Sequence, residues 1–227
     1  MRMHLWTEEM IASMREAAEY GSYYHDLAQI LLPYLKESDR VCDAGCGMGQ
    51  LVLELAPHVQ SITAIDRNPA ALEILQKQKE GRGIKNIEIR FQNLEDVRVE
   101  QPFDAMIFSL FGSDAEIEAA ASRLCRGKVF VIRRRKEDAL WLSRFADPRC
   151  PLAKADEPNR ICFDLPLNQP LRDLEAARKF LKMYRTDTDW DTKSDAEIEA
   201  MLRPIRHEKY RYELPVTRHL ELKILNR

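Results

Sequence analysis

Asp43, Gly45, Gly47 and Gly49 are the residues of this 227-residue chain whose types and spacing most directly suggest chemistry. They lie in the run D-A-G-C-G-M-G over residues 43–49, between a short apolar stretch and a segment with helix-forming residues. Glycine has no side chain, so backbone there can take a positive φ and come close to a ligand. A helix beginning at that point offers free N–H groups. A second acid, Asp66, ends the next apolar run and can accept charge-assisted hydrogen bonds from both hydroxyls of a ribose. A nicotinamide cofactor uses a similar turn, with the spacing G-x-G-x-x-G. Here the spacing is G-x-G-x-G, so the acid fits such a dinucleotide and the glycines do not.

Such a loop needs a scaffold. Residues 40–43 read as a buried strand ending in an acid, residues 50–56 as a helix, and residues 61–66 as a second strand ending in an acid. Asn68 and Pro69 make an N-cap and first-turn pair for a helix closing near Gly81. Further strands are expected at 86–91, 103–108 and 127–132, with a Ser113/Glu116 capping box opening the helix between the last two. Ahead of the first strand, Thr7 caps a helix with Glu8 and Glu9 in its first turn and Trp6 and Ile11 placed as a staple. A second helix is expected over 23–35, with Leu27, Ile30, Leu31 and Tyr34 on one side.

Alternating strands and helices predict an α/β fold: a doubly wound, mostly parallel, seven-stranded sheet with right-handed crossovers. Residues 147–170 hold Pro148, Pro151, Pro158, Pro166 and Pro170, and read as an irregular insertion or lid after strand five. A helix follows over 171–184, then a Ser194/Glu197 capping box whose helix stops near Pro204. Residues 210–214 and 220–225 alternate like strands and are expected to close the chain as an antiparallel hairpin. The whole of 1–227 reads as one domain: a helical cap (1–39), a ligand-binding core (40–135), an insertion or lid (140–192), and a helix with a terminal hairpin (193–227).

The stretch V-C-D-A-G-C-G-M-G at 41–49 and A-I-D-R-N-P at 64–69 resemble the first two motifs of the class I S-adenosylmethionine-dependent methyltransferases. The resemblance covers residues 20–135 and 195–227 and implies a Rossmann-like methyltransferase fold with S-adenosyl-L-methionine as cofactor. By that resemblance Gly45, Cys46, Gly47 and Gly49 contact the methionine part and Asp43 holds its amino group. Asp66 serves the ribose, Arg67 is a further cofactor-binding candidate, and Asn93, Leu94 and Glu95 lie near adenine, Asn93 standing where the family often has an aspartate. Ser109, with Leu110 and Phe111, occupies the fourth motif beside the methyl group, and residues 20–24 lie where the family closes over the methionine end. The implied reaction is direct transfer from the sulfonium, helped by alignment and exclusion of water. His25 is the candidate base, against a plain surface role, and His4 could approach from the first helix.

Residues 108–111 lack the Asn/Asp-Pro-Pro-Tyr/Phe of amino methylation, and no Pro-Cys pair stands there for attack on a pyrimidine ring. The acceptor is expected to be a small molecule. Trp141, Phe145 and Phe163 in and around the insertion are the candidate source of its selection. The alternatives are an RNA or protein methyltransferase, or a non-catalytic S-adenosylmethionine-binding regulatory protein. Two basic runs bear on that choice: residues 133–136, and residues 203–227 with seven Lys/Arg against three acids. Each is either a phosphate-binding surface or a solvated face paired with acids.

A net charge of -2 gives no global field for nucleic acid or anionic membrane. No apolar run approaches the roughly 18 residues of a membrane span, and the start has no signal-peptide core, so a cytoplasmic monomer or homodimer is expected. The five cysteines include one C-x-x-x-C pair, Cys42 and Cys46, without a second, so no metal is expected.

Overall fold

Residues 40–44 form β1 (Arg40–Ala44), buried from Val41 onward because both faces of a central parallel strand are covered by helices. The computed structural model describes residues 7–135, 159–185 and 188–227. These fall into two compact units: 24–135 with 159–164 and 219–227, and 7–23 with 165–185 and 188–218. His4, the Trp6 half of the staple, Trp141 and Phe145 lie outside the described residues.

In the first unit β1 is flanked by β2 (Ser61–Asp66) and by β4 (Phe103–Ser109), both parallel, with Asp43 opposite Ala64 and Ile107. β3 (Ile87–Phe91) pairs with β2, and β5 (Cys125–Arg134) with β4. Among the described residues the sheet has seven strands, in the order β3-β2-β1-β4-β5-β10-β6, where β6 is Arg160–Pro166 and β10 is Thr217–Asn226. β10 runs antiparallel to β5. The strand order reverses at β1, so the carboxyl ends of β1 and β4 form the crevice where doubly wound sheets take ligands. One face of the sheet packs Cys42, Val129 and Val131 against Ile117, Ala120, Ala121 and Leu124.

Numbering helices from the amino end, α1 is Glu8–Tyr20, capped by Thr7 as expected, and α2 is Tyr23–Leu31. α2 is shorter than expected because Pro33 converts the next turn, Leu32–Tyr34, to 3-10 geometry. α3 is Gln50–Leu55, and α4 is Pro69–Gly81 with Asn68 as its cap. α5 is Asp114–Leu124, opened by the Ser113/Glu116 box.

In the second unit, β7 (Gln169–Leu171), β9 (Tyr212–Leu214) and β8 (Arg203–Pro204) form a small antiparallel sheet in the order β7-β9-β8. α6 (Leu174–Tyr184) and α7 (Asp195–Glu199) pack with that sheet around Ala177, Leu181, Trp190, Ile198 and Leu214. α6 starts later than expected because Asp173 is its cap, and α7 ends well before Pro204, whose strand pairs with β9.

Two expectations change. Residues 160–166 and 169–171, in and beside the Pro-rich segment, form strands, since Pro166 ends β6 and Pro170 sits on an edge strand, both places that tolerate a missing N–H. Residues 136–158, which include the first part of the insertion, lie outside the described residues. The segments at 210–214 and 220–225 do not pair with each other: β9 joins the small sheet, and β10 lies between β5 and β6. Ile224 N donates to Asn159 O while His219 meets Asp164, so β6 and β10 run in opposite directions. Alternation marks a strand but does not name its partner. Among the described residues no helix is long and apolar enough to cross a membrane.

Candidate functional site

The loop after β1 is turned back onto the end of β2. Gly45 N and Cys46 N both donate to Ile65 O, at 2.8 and 3.1 Å. Gly47 N donates to Asp66 Oδ2 and Asn68 N to Asp66 Oδ1, each at 2.8 Å. One carboxylate therefore fixes the middle of the loop and starts α4. Each oxygen retains a further acceptor site for an incoming hydroxyl.

Asp43 is 3% exposed, and its Oδ1 is buried without a hydrogen-bond partner. Burial, and then the nearby charge of Asp66, push its carboxyl up to about 7. A buried acceptor left open at a ligand crevice is costly to the empty protein and is an invitation to a donor. Burial also raises the Cys42 and Cys46 thiols, which makes neither a ready nucleophile.

Gly45 and Gly49 have φ of +75° and +74°. A Cβ on Gly45 would lie 2.2 Å from Phe111 Cγ, and one on Gly49 would lie 2.3 Å from Leu75 Cδ1. At these two positions the missing side chain makes room for the protein's own packing, a reason the motif spacing does not reveal.

At the neighbouring strand end, Ser109 closes β4 and Leu110 follows with φ +56° and 44% exposure. Arg133, on β5, donates to Phe111 O at 2.8 Å and Gly112 O at 2.6 Å. The basic run at 133–136, for which the sequence leaves both a phosphate-binding surface and a solvated face open, is thus partly an internal tie. Arg135 is buried as well, donating to Asp164 Oδ1 at 2.6 Å, and the same oxygen lies 2.9 Å from His219 Nδ1. Farther along, Arg203 pairs with Glu213, Lys209 with Glu16 and Arg227 with Glu118.

Beyond β2 and β3 an open depression of about 370 Å³ is lined by Arg67, Phe91, Gln92, Asn93 and Asp96. Asn93 Nδ2 donates to Asp96 Oδ2 at 3.1 Å. Of the trio 93–95 only Asn93 lines this depression; Leu94 packs on the core and Glu95 is exposed. Phe91, 68% exposed at a strand end, is a lining residue that sequence reasoning missed, and an aromatic ending an alternating strand was its signal.

Two candidates lie elsewhere. His25 Nδ1 is 3.2 Å from Glu54 Oε2, and Glu54 also meets Arg82 at 3.7 Å. These residues sit at the trailing ends of α3 and α4, whose leading ends frame the loop, so His25 is not placed as a base. Tyr20 belongs to the second unit, where its hydroxyl donates to Glu213 at 2.8 Å. Tyr23 is packed inward. Among the described residues no cluster of His, Cys, Asp or Glu is arranged to hold a metal.

Residues 35–157, more than half of the chain, match the family model of a methyltransferase domain. A carboxy-S-adenosyl-L-methionine synthase of Dichelobacter nodosus is 33% identical over 78 residues, a stretch that covers 33% of this chain and 33% of that relative. A candidate methyltransferase of Bacillus halodurans C-125 superposes with a TM-score of 0.54 at 16% identity, over 91% of this chain and 99% of that one. The YcgJ protein of Bacillus subtilis gives 0.51 at 15% identity, over 88% and 98%. At these identities the structural likeness is one of fold.

Proposed function

The chain belongs to the methyltransferase domain family, and from that premise we propose that it transfers the methyl group of S-adenosylmethionine to a small-molecule acceptor. The observation that carries the reading is the open, buried Oδ1 of Asp43 beside the glycine loop. An ammonium group is the donor that fits it, because it satisfies the oxygen and offsets the two neighbouring carboxylates. Asp66, already holding Gly47 and Asn68, has acceptor capacity left for ribose hydroxyls. Arg67, Phe91 and Asn93 offer a flat, partly apolar surface suited to adenine.

When bound, S-adenosylmethionine supplies an electrophilic methyl on a sulfonium. The chain's own contribution is to fix the donor along the loop, to present Ser109 and Leu110 at the mouth of β4, and to exclude water from the line of transfer. No base is assigned.

A small acceptor is favoured over RNA because Arg133, Arg135, Arg203, Lys209 and Arg227 are held by groups of the same chain. A polyanion needs free basic side chains. Calorimetry with S-adenosylhomocysteine and with NAD tests the donor: binding of NAD and not of S-adenosylhomocysteine would sink it. Transfer of labelled methyl to a metabolite panel and to total RNA tests the acceptor. Labelling of RNA that falls steeply with salt would replace the small molecule, and tight binding without transfer would point to a regulatory protein.

A further inference from the structure

Leu110 is the single non-glycine residue with positive φ among the described residues, at +56°. A leucine pays for that geometry in strain, and strain of this kind persists only where neighbours enforce it. The neighbour here is Arg133. Its guanidinium reaches across from β5 and takes the next two carbonyls, Phe111 O and Gly112 O, at 2.8 and 2.6 Å. From the other side Leu110 N donates to Ile132 O at 3.0 Å. The loop so held lays the Phe111 ring where a Cβ of Gly45 would be, which locks it onto the first glycine of the loop after β1.

We infer that Arg133 is a positioning residue: through the strained residues 110–112 it presses Phe111 onto Gly45 and so shapes the loop that takes the methyl donor. The inference rests on the reading of residues 43–49 as the donor loop. It assigns the β5 arginine a role unlike a phosphate contact, since both donating nitrogens face backbone of the chain itself. Ser109 and the exposed Leu110 then form a rim whose shape these contacts fix.

The test uses the full chain and S-adenosylhomocysteine as calorimetric probe. Arg133→Gln keeps one donor group and loses the charged two-carbonyl grip, and should weaken binding about tenfold. Arg133→Lys should lose less. Because the arginine acts through Phe111, adding Arg133→Gln to Phe111→Leu should cost nothing further beyond Phe111→Leu alone. In a Leu110→Gly background the loop has no strain to hold, and Arg133→Gln should cost less than in the parent. Unchanged binding by Arg133→Gln, or losses that multiply in the double variants, would overturn the inference. Hydrogen exchange without ligand reads the clamp independently: in Arg133→Gln, amides at 45–47 and 110–112 should exchange faster together while β1 stays protected. If only 110–112 loosen, the link to the donor loop is wrong. A parent protein that fails to bind S-adenosylhomocysteine, with the exchange coupling intact, would overturn the donor reading and leave the clamp standing.

Discussion

Asp43→Asn should make the empty protein more stable at pH 8 while weakening its hold on the methyl donor. The Asp43 carboxyl is raised from 3.8 to about 7, first by burial and then by the charge of Asp66. Between those values the native state holds the proton more tightly than the unfolded chain does. The group's contribution is therefore fully present below pH 4 and is lost as pH rises through about 7. A gap of about three units at about 1.4 kcal/mol each makes the loss about 4 kcal/mol by pH 8. Asparagine has nearly the same shape and stays neutral, so it escapes this loss. The assay is denaturant unfolding of parent and variant at pH 5 and at pH 8, without ligand. The variant's advantage should be about 1.5 kcal/mol at pH 5 and about 4 kcal/mol at pH 8, and its affinity for S-adenosylhomocysteine should fall at both. A stability difference that does not change with pH would refute the argument, because it would mean that Asp43 is solvated or partnered in the empty protein.

Four other outcomes are expected. Asp66→Ala removes the acceptor for Gly47 N and Asn68 N and should cost about 1.5–3 kcal/mol for each bond in unfolding measurements, with donor binding reduced as well. Gly45→Ala drives a methyl into Phe111 at positive φ and should destabilise by about 2 kcal/mol or more; adding Phe111→Ala should return less than all of it, since the φ strain remains. Leu110→Gly relieves the strained backbone and should raise the melting temperature by about 2–4 °C in a scanning calorimeter. His25→Gln, at an exposed pair with Glu54, should leave donor affinity unchanged and stability within about 0.5 kcal/mol.

The elements that frame the site were readable because their signals are local. Asn68, Pro69 and Gly81 bound α4, and the boxes at Ser113/Glu116 and Ser194/Glu197 open α5 and α7 as expected. Asp66 ends β2 as the run of apolar residues implied, and Asp43 stands one residue before the end of β1. What stayed hidden depends on contacts between distant residues. Nothing near Gly45 announces Phe111, and nothing near residues 133–136 says that Arg133 grips backbone and Arg135 a buried carboxylate. The sixth strand was masked by prolines, and β10 met its partners across the whole insertion. His25 looked close to the donor loop in sequence order, yet α2 delivers it to the wrong end of α3.

Asp164 and His219 touch at 2.9 Å, and the 54 residues 165–218 between them all belong to the second unit. Seen from the sheet, those 54 residues are one very long connection between antiparallel neighbours. Closing a flexible loop costs entropy only as the logarithm of its length, so exchanging a connection of about four residues for one of this size adds about 2.3 kcal/mol. The Arg135–Asp164–His219 cluster and the Arg160–Glu221 pair bridge the two strands just inside that junction and offset part of the cost. The edge of this sheet can therefore exchange whole inserted units of very different length at nearly constant thermodynamic cost, provided the two ends still meet at Asp164.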